Sequence, residues 1–208
     1  VEQAVGVGRI DESSEHDIER LGERVLLVAV YPPDAHHARI VRQRFLQISD
    51  SGSTGRRVCT FTFGEFGGKS LESGGHIFVD KSGPKSIQRT YDHARRVLRG
   101  GISLVVFPEG ARTFTGHMGI FRRGAFQLAD ELQLPVVPVT IDGTFDVLPR
   151  QKGFNFLQWH PLRLVIHKPI QQPGQGPEAI KQVMAESYTT IMQALPKEYQ
   201  GFVENPDQ

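Results

Sequence analysis

The sequence predicts an α/β fold in which a mixed, largely parallel sheet is flanked by helices. Short runs rich in β-branched and aromatic residues alternate along the chain with stretches whose apolar residues recur at helical spacing. Strands that alternate with helices are typical of a parallel sheet covered by helices. The chain has 208 residues, which is enough for one domain with a substantial core.

Several segments have the composition of strands. The run Ile102 to Phe107 carries no charge and is mostly β-branched or aromatic, as expected of a strand buried on both faces. Pro138 lies inside a later run, and because proline cannot donate to the ladder we expect an edge or bulge position there. The predicted strands are 25–31, 58–63, 77–79, 102–107, 136–141 and 162–167.

Three later segments have the spacing of helices. The first ends at Gly100, the second runs from Gly124 to about Leu132, and the third closes the chain after a connector rich in proline and glycine. The arginines on the outer face of the first helix are expected to be solvated. The core-facing residues are predicted to be Ile87, Tyr91, Ala94 and Leu98 in the first helix and Ile180, Met184, Ile191 and Leu195 in the last.

Composition excludes several classes of function. The 24 basic and 23 acidic residues leave a net charge of +1, so no global field would draw the chain to nucleic acid. One cysteine permits neither an internal disulfide framework nor a cysteine-rich metal site, and no metal site or cofactor is predicted. The glycine-rich motifs of nucleotide-binding folds are missing, which disfavours a nucleotide or sugar-phosphate enzyme.

The stretch from Phe107 to Arg112 is the strongest candidate for a functional site. A proline and Gly110 end the predicted buried strand, so Glu109 and Arg112 would lie at its carboxyl end, where open α/β sheets place their ligands. A guanidinium group there matches two oxygens of a phosphate. The alternative is that Glu109 and Arg112 simply pair with each other in a loop.

Four blocks in the middle of the chain resemble the glycerolipid acyltransferases of the lysophosphatidic acid acyltransferase (PlsC-type) family. The blocks follow the order that the family shows and span residues 74 to 150, with a loose extension to Pro169. In this chain they read G-H-I-F-V-D-K at 75–81, F-P-E-G-A-R-T at 107–113, F-R-R-G-A at 121–125 and V-V-P-V-T-I at 136–141.

The resemblance implies an acyltransferase fold and the transfer of a fatty acyl group to 1-acyl-glycerol-3-phosphate in phospholipid synthesis. The donor would be acyl-CoA or acyl carrier protein, acting as co-substrate rather than cofactor. The residues that it implies for binding the glycerol phosphate are Glu109, Gly110, Arg112, Lys81 and Arg123, with Arg122 as the alternative to Arg123. Lys81 stands where the family has arginine. Lysine supplies a point charge, whereas arginine would supply a fork of N–H donors.

The chain departs from the family at the catalytic histidine. In the family a histidine followed by aspartate five positions later acts as general base, and none of the eight histidines here has that partner. His36, with Asp34 before it, lies roughly where the family places its base, although a surface histidine pair in a loop is the favoured interpretation. The catalytic residue is therefore unassigned.

Three explanations of this departure remain open. In the first, the chain is an enzyme with a displaced base. In the second, it is a relative that keeps the lipid-phosphate site without the chemistry. In the third, residues 1–65 are not the family's natural segment, for instance through a reading-frame error upstream of Gly74.

We expect one domain overall, with three parts. Residues 1–70 form an N-terminal segment that matches the family poorly, 71–170 an acyltransferase-like core, and 171–208 a connector and C-terminal helix. The expected partners are a lysophospholipid, an acyl donor and a membrane surface. With no apolar run long enough to span a bilayer, a cytoplasmic protein peripheral to the inner face of the plasma membrane is the predicted location.

Overall fold

The structure of the chain is a computed structural model. It describes residues 26–30, 58–62, 76–78, 82–100, 102–110, 113–147 and 159–203. Side chains are described in the same ranges, except those of residues 26–30, 58–62, 76 and 78.

The described strands form one sheet of six, close to the segments predicted from sequence. They are β1 (Leu26–Val30), β2 (Val58–Thr62), β3 (His76–Phe78), β4 (Ser103–Val106), β5 (Val136–Asp142) and β6 (Arg163–Ile166). Their order across the sheet is β3-β2-β4-β1-β5-β6. All neighbours pair in parallel except β5 and β6, which are antiparallel. The predicted α/β class with a mixed sheet is therefore confirmed.

The first two strands come from residues 1–70, the segment predicted to match the family poorly, yet both lie inside the sheet. β1 separates β4 from β5, with Val28 paired to Val106 on one side and to Pro138 on the other. β2 lies between β4 and β3. Because β1 to β5 run in the same direction, their carboxyl ends lie along one edge of the sheet, called here the carboxyl edge.

Pro138 lies in an interior strand, so the edge alternative predicted for it is wrong; the pairing register places it opposite a bulge. Val139 pairs with Ile166, and Val136 forms a bridge with Ile170. Two residues separate these pairs in β5 and three separate them in the opposite strand, which is the count of a β-bulge. The carbonyl of Pro138 accepts from the N–H of His167 at 3.0 Å, so its missing donor also faces the bulged side.

The helices are α1 (Pro84–Arg99), α2 (Gly124–Leu132), the short α3 (Thr144–Val147) and α4 (Pro177–Ala194), followed by a 3-10 helix at Lys197–Tyr199. Buried residues of α1, α2 and α4 share one hydrophobic cluster with Leu104 and Val106 of β4. The packing of these helices against the sheet is stabilised by about 25 cal/mol for each Å² of apolar surface that is removed from water.

The predicted faces of α1 and α4 are largely, but not entirely, the observed ones. Ala94 and Leu98 are fully buried, whereas Ile87 is 40% exposed, so its assignment to the core is wrong. Ile87 lies in the first turn, outside the cluster that α1 packs into. In α4, Ile180 and Ile191 are buried, and Met184 and Leu195 pack against the cluster from its margin.

Candidate functional site

The predicted site begins with a tight turn at the carboxyl end of β4. Val106 and Phe107 are buried, and the N–H of Gly110 donates to the carbonyl of Phe107 at 3.2 Å. Gly110 has a φ of 71°, a backbone conformation that a residue with a Cβ rarely adopts. The requirement for glycine at this position is therefore geometric, and the turn places Pro108 and Glu109 at the carboxyl edge.

A second sequence block joins this turn directly. The N–H of Arg122 donates to the carbonyl of Pro108 at 2.8 Å, so the segment that begins at Phe121 lies against the turn. Phe121 is buried, while Arg122 and Arg123 are exposed, with Arg123 at the N-terminal cap of α2. Two guanidinium groups thus extend from a segment whose backbone is fastened to the predicted phosphate-binding turn.

The glycine of this second block has a packing reason. Gly124 lies under the ring of Tyr91 from α1, and a Cβ at Gly124 would overlap the tyrosine hydroxyl. Burial raises the pKa of this tyrosine, so its hydroxyl keeps its proton. The close approach of α1 to the start of α2 therefore fixes where the two arginines begin.

Glu109 uses its carboxylate within the protein. Its Oε2 accepts a hydrogen bond of 2.6 Å from the N–H of Gly119, in the loop between β4 and α2. Burial raises the pKa of Glu109 to about 7, and the hydrogen bond from Gly119 opposes that rise. The residue as a whole keeps some exposure, so the rise reflects the protein packed around its carboxyl group. Near neutral pH this group is shared between its charged and neutral forms.

Aromatic contacts join the segment at Phe121 to α2 and α4. The ring of Phe121 contacts Tyr188 of α4 edge-on at 5.0 Å between centroids and stacks on Phe126 at 6.1 Å. The pKa of Tyr188 is raised, mainly by burial and further by the charge of Glu109. Tyr188 therefore remains a neutral hydroxyl close enough to Glu109 to sense its ionisation.

The structure brings together only some of the predicted site residues. Glu109, Gly110 and Arg123, with the alternative Arg122, belong to the turn and the segment fastened to it. Arg112, Lys81, His36 and Asp34 lie outside the described residues. The proposed pairing of Glu109 with Arg112 therefore stays a prediction.

Two residues that contact this site were not predicted. Tyr188 falls at helical spacing between Met184 and Ile191, so a polar member of that apolar stripe was a usable signal. Gly119 had no signal, because its role depends on a backbone N–H and on the path of a loop. In the described ranges no three His, Cys, Asp or Glu side chains are grouped to hold a metal. None of the helices described is long and apolar enough to cross a bilayer.

Comparison with known proteins supports the resemblance. Residues 59–142 match the family model described as Acyltransferase. A chloroplastic 1-acyl-sn-glycerol-3-phosphate acyltransferase of Brassica napus is 32% identical over 50% of this chain and 30% of its own length. A 1-acyl-sn-glycerol-3-phosphate acyltransferase of Limnanthes douglasii is 37% identical over 58% of this chain and 43% of its own length. The matches thus span less than half of these relatives.

A solved structure supports the fold independently. The 1-acyl-sn-glycerophosphate (LPA) acyltransferase PlsC from Thermotoga maritima superposes with a TM-score of 0.58 at 20% identity, covering 90% of this chain and 71% of the other. At that identity the likeness concerns the fold alone. The family model and the sequence relatives confirm the predicted resemblance to the lysophosphatidic acid acyltransferase family, and the solved structure agrees with it in fold.

Proposed function

We propose that this chain transfers a fatty acyl group from a thioester donor, acyl-CoA or acyl carrier protein, to the free hydroxyl of 1-acyl-glycerol-3-phosphate. The observation that carries the proposal is the hydrogen bond from Arg122 to Pro108, because it fastens two arginines to a buried turn at the carboxyl edge. The names of the sequence relatives supply the acceptor and the reaction.

The proposed reaction is a single acyl transfer from a thioester to a hydroxyl group. The hydroxyl oxygen attacks the thioester carbonyl and forms the new ester bond, the carbon–sulfur bond breaks, and the proton lost by the hydroxyl ends on the departing thiolate, which becomes the free thiol. The arginines, with Arg112 and Lys81, would hold the phosphate through charge-assisted hydrogen bonds. Glu109 already accepts from Gly119, so it would contribute by holding that loop and, when protonated, by offering one O–H donor.

Four histidine side chains are described, and none of them forms a hydrogen bond to a described carboxylate: His93, His117, His160 and His167. His167 hydrogen-bonds Thr140 at 2.8 Å, and burial, followed by the charge of Arg163, lowers the pKa of His167. His160 lies 3.6 Å from Asp146, beyond hydrogen-bonding distance. The role of base stays unassigned.

The missing histidine–aspartate pattern of the sequence favours a second candidate, a lipid-phosphate binder without catalytic activity. It would use Glu109, Arg112, Lys81 and Arg123 to hold the headgroup but would leave the acyl donor untouched. Its binding should weaken as salt screens the cationic side chains.

One experiment separates the two candidates. The chain is incubated with lysophosphatidate and either acyl-CoA or acyl carrier protein carrying an acyl chain, and phosphatidate formation and lysophosphatidate binding are both measured. The enzyme proposal expects turnover whose kcat/KM Arg112→Ala lowers by about one to two orders of magnitude, because charge-assisted hydrogen bonds to the phosphate are worth about 1.5–3 kcal/mol. Arg89→Ala, at an exposed position of α1, is the matched control. Binding without turnover at saturating donor would establish the second candidate.

We also propose that the chain meets its lipid substrate at a membrane surface, as a peripheral protein on the inner face of the plasma membrane. Support comes from three large apolar side chains that are exposed: Trp159 at 86%, Ile120 at 72% and Phe202 at 58%. Tryptophan favours the boundary between headgroups and acyl chains, and Arg122 and Arg123 follow Ile120 and would attract anionic headgroups. Chloroplastic proteins are among the relatives, so the comparisons do not favour the plasma membrane over other membranes.

A further inference from the structure

The last described turn of the chain holds the loop that contacts Glu109. The hydroxyl of Tyr199 donates to Asp146 Oδ1 at 2.7 Å, which ties the 3-10 helix to α3 at the carboxyl edge. Burial, followed by Asp146, raises the pKa of Tyr199 to about 12. This hydroxyl therefore keeps its proton, and with it the hydrogen bond, throughout the neutral pH range.

The ring of Tyr199 forms a second connection, to the loop between β4 and α2. Gly116 has a φ of 80° and lies directly under the ring, so that a Cβ there would be 2.6 Å from a ring carbon. The rings of His117 and Phe145 meet that of Tyr199 edge-on, at centroid distances of 6.2 and 6.0 Å. The tyrosine thus fills the space between α3 and the loop.

The loop itself is short, and hydrogen bonds within it restrain its backbone. The N–H of Thr115 donates to the hydroxyl of Thr113 at 3.1 Å, and the N–H of His117 donates to the hydroxyl of Thr115 at 3.3 Å. Three positions after Gly116, the N–H of Gly119 donates to Glu109. One continuous set of contacts therefore joins Tyr199 to the turn after β4.

We propose that Tyr199 is a positioning residue for the phosphate site: it holds the loop 113–119 in the place from which Gly119 binds Glu109. The part concerning phosphate rests on the proposed function. Without the tyrosine ring the loop loses its packing partner at Gly116, and the N–H of Gly119 is no longer held against the carboxylate. The site then binds a phosphate headgroup less tightly although no residue that would touch the ligand has changed.

Three variants of the full chain test this proposal. Tyr199→Ala removes both connections, and Tyr199→Phe removes only the bond to Asp146. Gln200→Ala is the matched control, because its side chain donates to Leu195 and Gln193 within the same segment and makes no bond to the loop. The measurements are hydrogen exchange of the amides at 114–119, the pKa of Glu109 from carboxyl NMR, and the dissociation constant for sn-glycerol 3-phosphate.

For Tyr199→Ala we expect exchange of the loop amides and the dissociation constant to rise on the order of tenfold, the size expected from one lost hydrogen bond and its ring contact. The pKa of Glu109 should move away from about 7, because Gly119 both donates the bond that lowers it and packs against the carboxyl group. Tyr199→Phe should show smaller changes of the same sign, and Gln200→Ala none.

The proposal is overturned if Tyr199→Ala leaves the loop exchange and the pKa of Glu109 unchanged, or if Gln200→Ala alters them equally. A separate outcome bears on the phosphate. If these two measurements change as expected while the parental chain binds no sn-glycerol 3-phosphate, the proposed function is overturned and the link from Tyr199 to Glu109 stands.

Discussion

The N–H of Gly119 and the carboxylate of Glu109 form a 2.6 Å hydrogen bond that joins a loop to the end of a buried strand. This bond exists in both ionisation states of the carboxyl group, since a neutral carboxyl still accepts through its carbonyl oxygen. Because the pKa of Glu109 is raised to about 7, its carboxyl group changes charge around neutral pH. Its contribution to folding then depends on pH.

The first prediction concerns Glu109→Gln and stability. Because the pKa is raised on folding, the folded chain binds more protons than the unfolded one between about pH 4.5 and 7. Stability from this group is fully present below that window and is lost as pH rises through it, by up to about 3 kcal/mol. Glutamine keeps an acceptor for Gly119 and cannot ionise, so the variant should gain stability relative to the parent at pH 8. Denaturant unfolding at pH 5 and 8 measures this. An equal change with pH in both proteins would show that Glu109 ionises normally.

The second prediction concerns Gly124→Ala, which should destabilise the fold by overpacking, by about 1–3 kcal/mol. The added Cβ would overlap the hydroxyl of Tyr91 and lie 3.0 Å from the ring carbon that bears it. Tyr91→Phe in the same chain should recover part of the loss. Gly174→Ala is the matched control, since nothing lies within 4 Å of a Cβ there. Thermal unfolding compares all four proteins, and equal losses for the two alanine variants would contradict the assigned contact.

The third prediction concerns Asp130→Ala, which should loosen the start of α4. Both oxygens of this buried carboxylate accept from the N–H of Gly176 at 3.1 Å, immediately before the helix begins. Removing the acceptor leaves a helix-start N–H without its partner, at a cost of about 1–3 kcal/mol. Amide exchange at 176–180 should increase in step with the loss of stability. Glu178→Ala, an exposed first-turn carboxylate, serves as control. Unchanged exchange in Asp130→Ala would argue against this capping role.

The fourth prediction concerns membrane binding through Trp159. Trp159→Ser should weaken partition to vesicles of phosphatidylglycerol and phosphatidylcholine by roughly tenfold, because burying a large apolar side chain is worth about 1.5–3 kcal/mol. Ile87→Ser removes another exposed apolar side chain, at 40% exposure on α1, and should have little effect. Sedimentation with vesicles measures both. Equal loss in the two variants would indicate general adhesion rather than a defined membrane face.

The sequence was sufficient for features that depend on neighbours a few positions apart. Strand composition located Ser103–Val106, and glycine at 100 marked the end of α1, because buried strands and helix ends leave local signals. The turn with Gly110 and the segment at 121–125 were also identified from their sequence motifs. Their roles in binding phosphate remain predictions.

Only the tertiary structure decided which of these segments meet. Nothing in the spacing of residues places β1 between β4 and β5, or shows that Pro138 lies opposite a bulge in an interior strand rather than in an edge strand. The bond between Tyr199 and Asp146 joins residues 53 positions apart. Such contacts depend on chain topology and on backbone groups that every residue carries, so residue types alone do not reveal them.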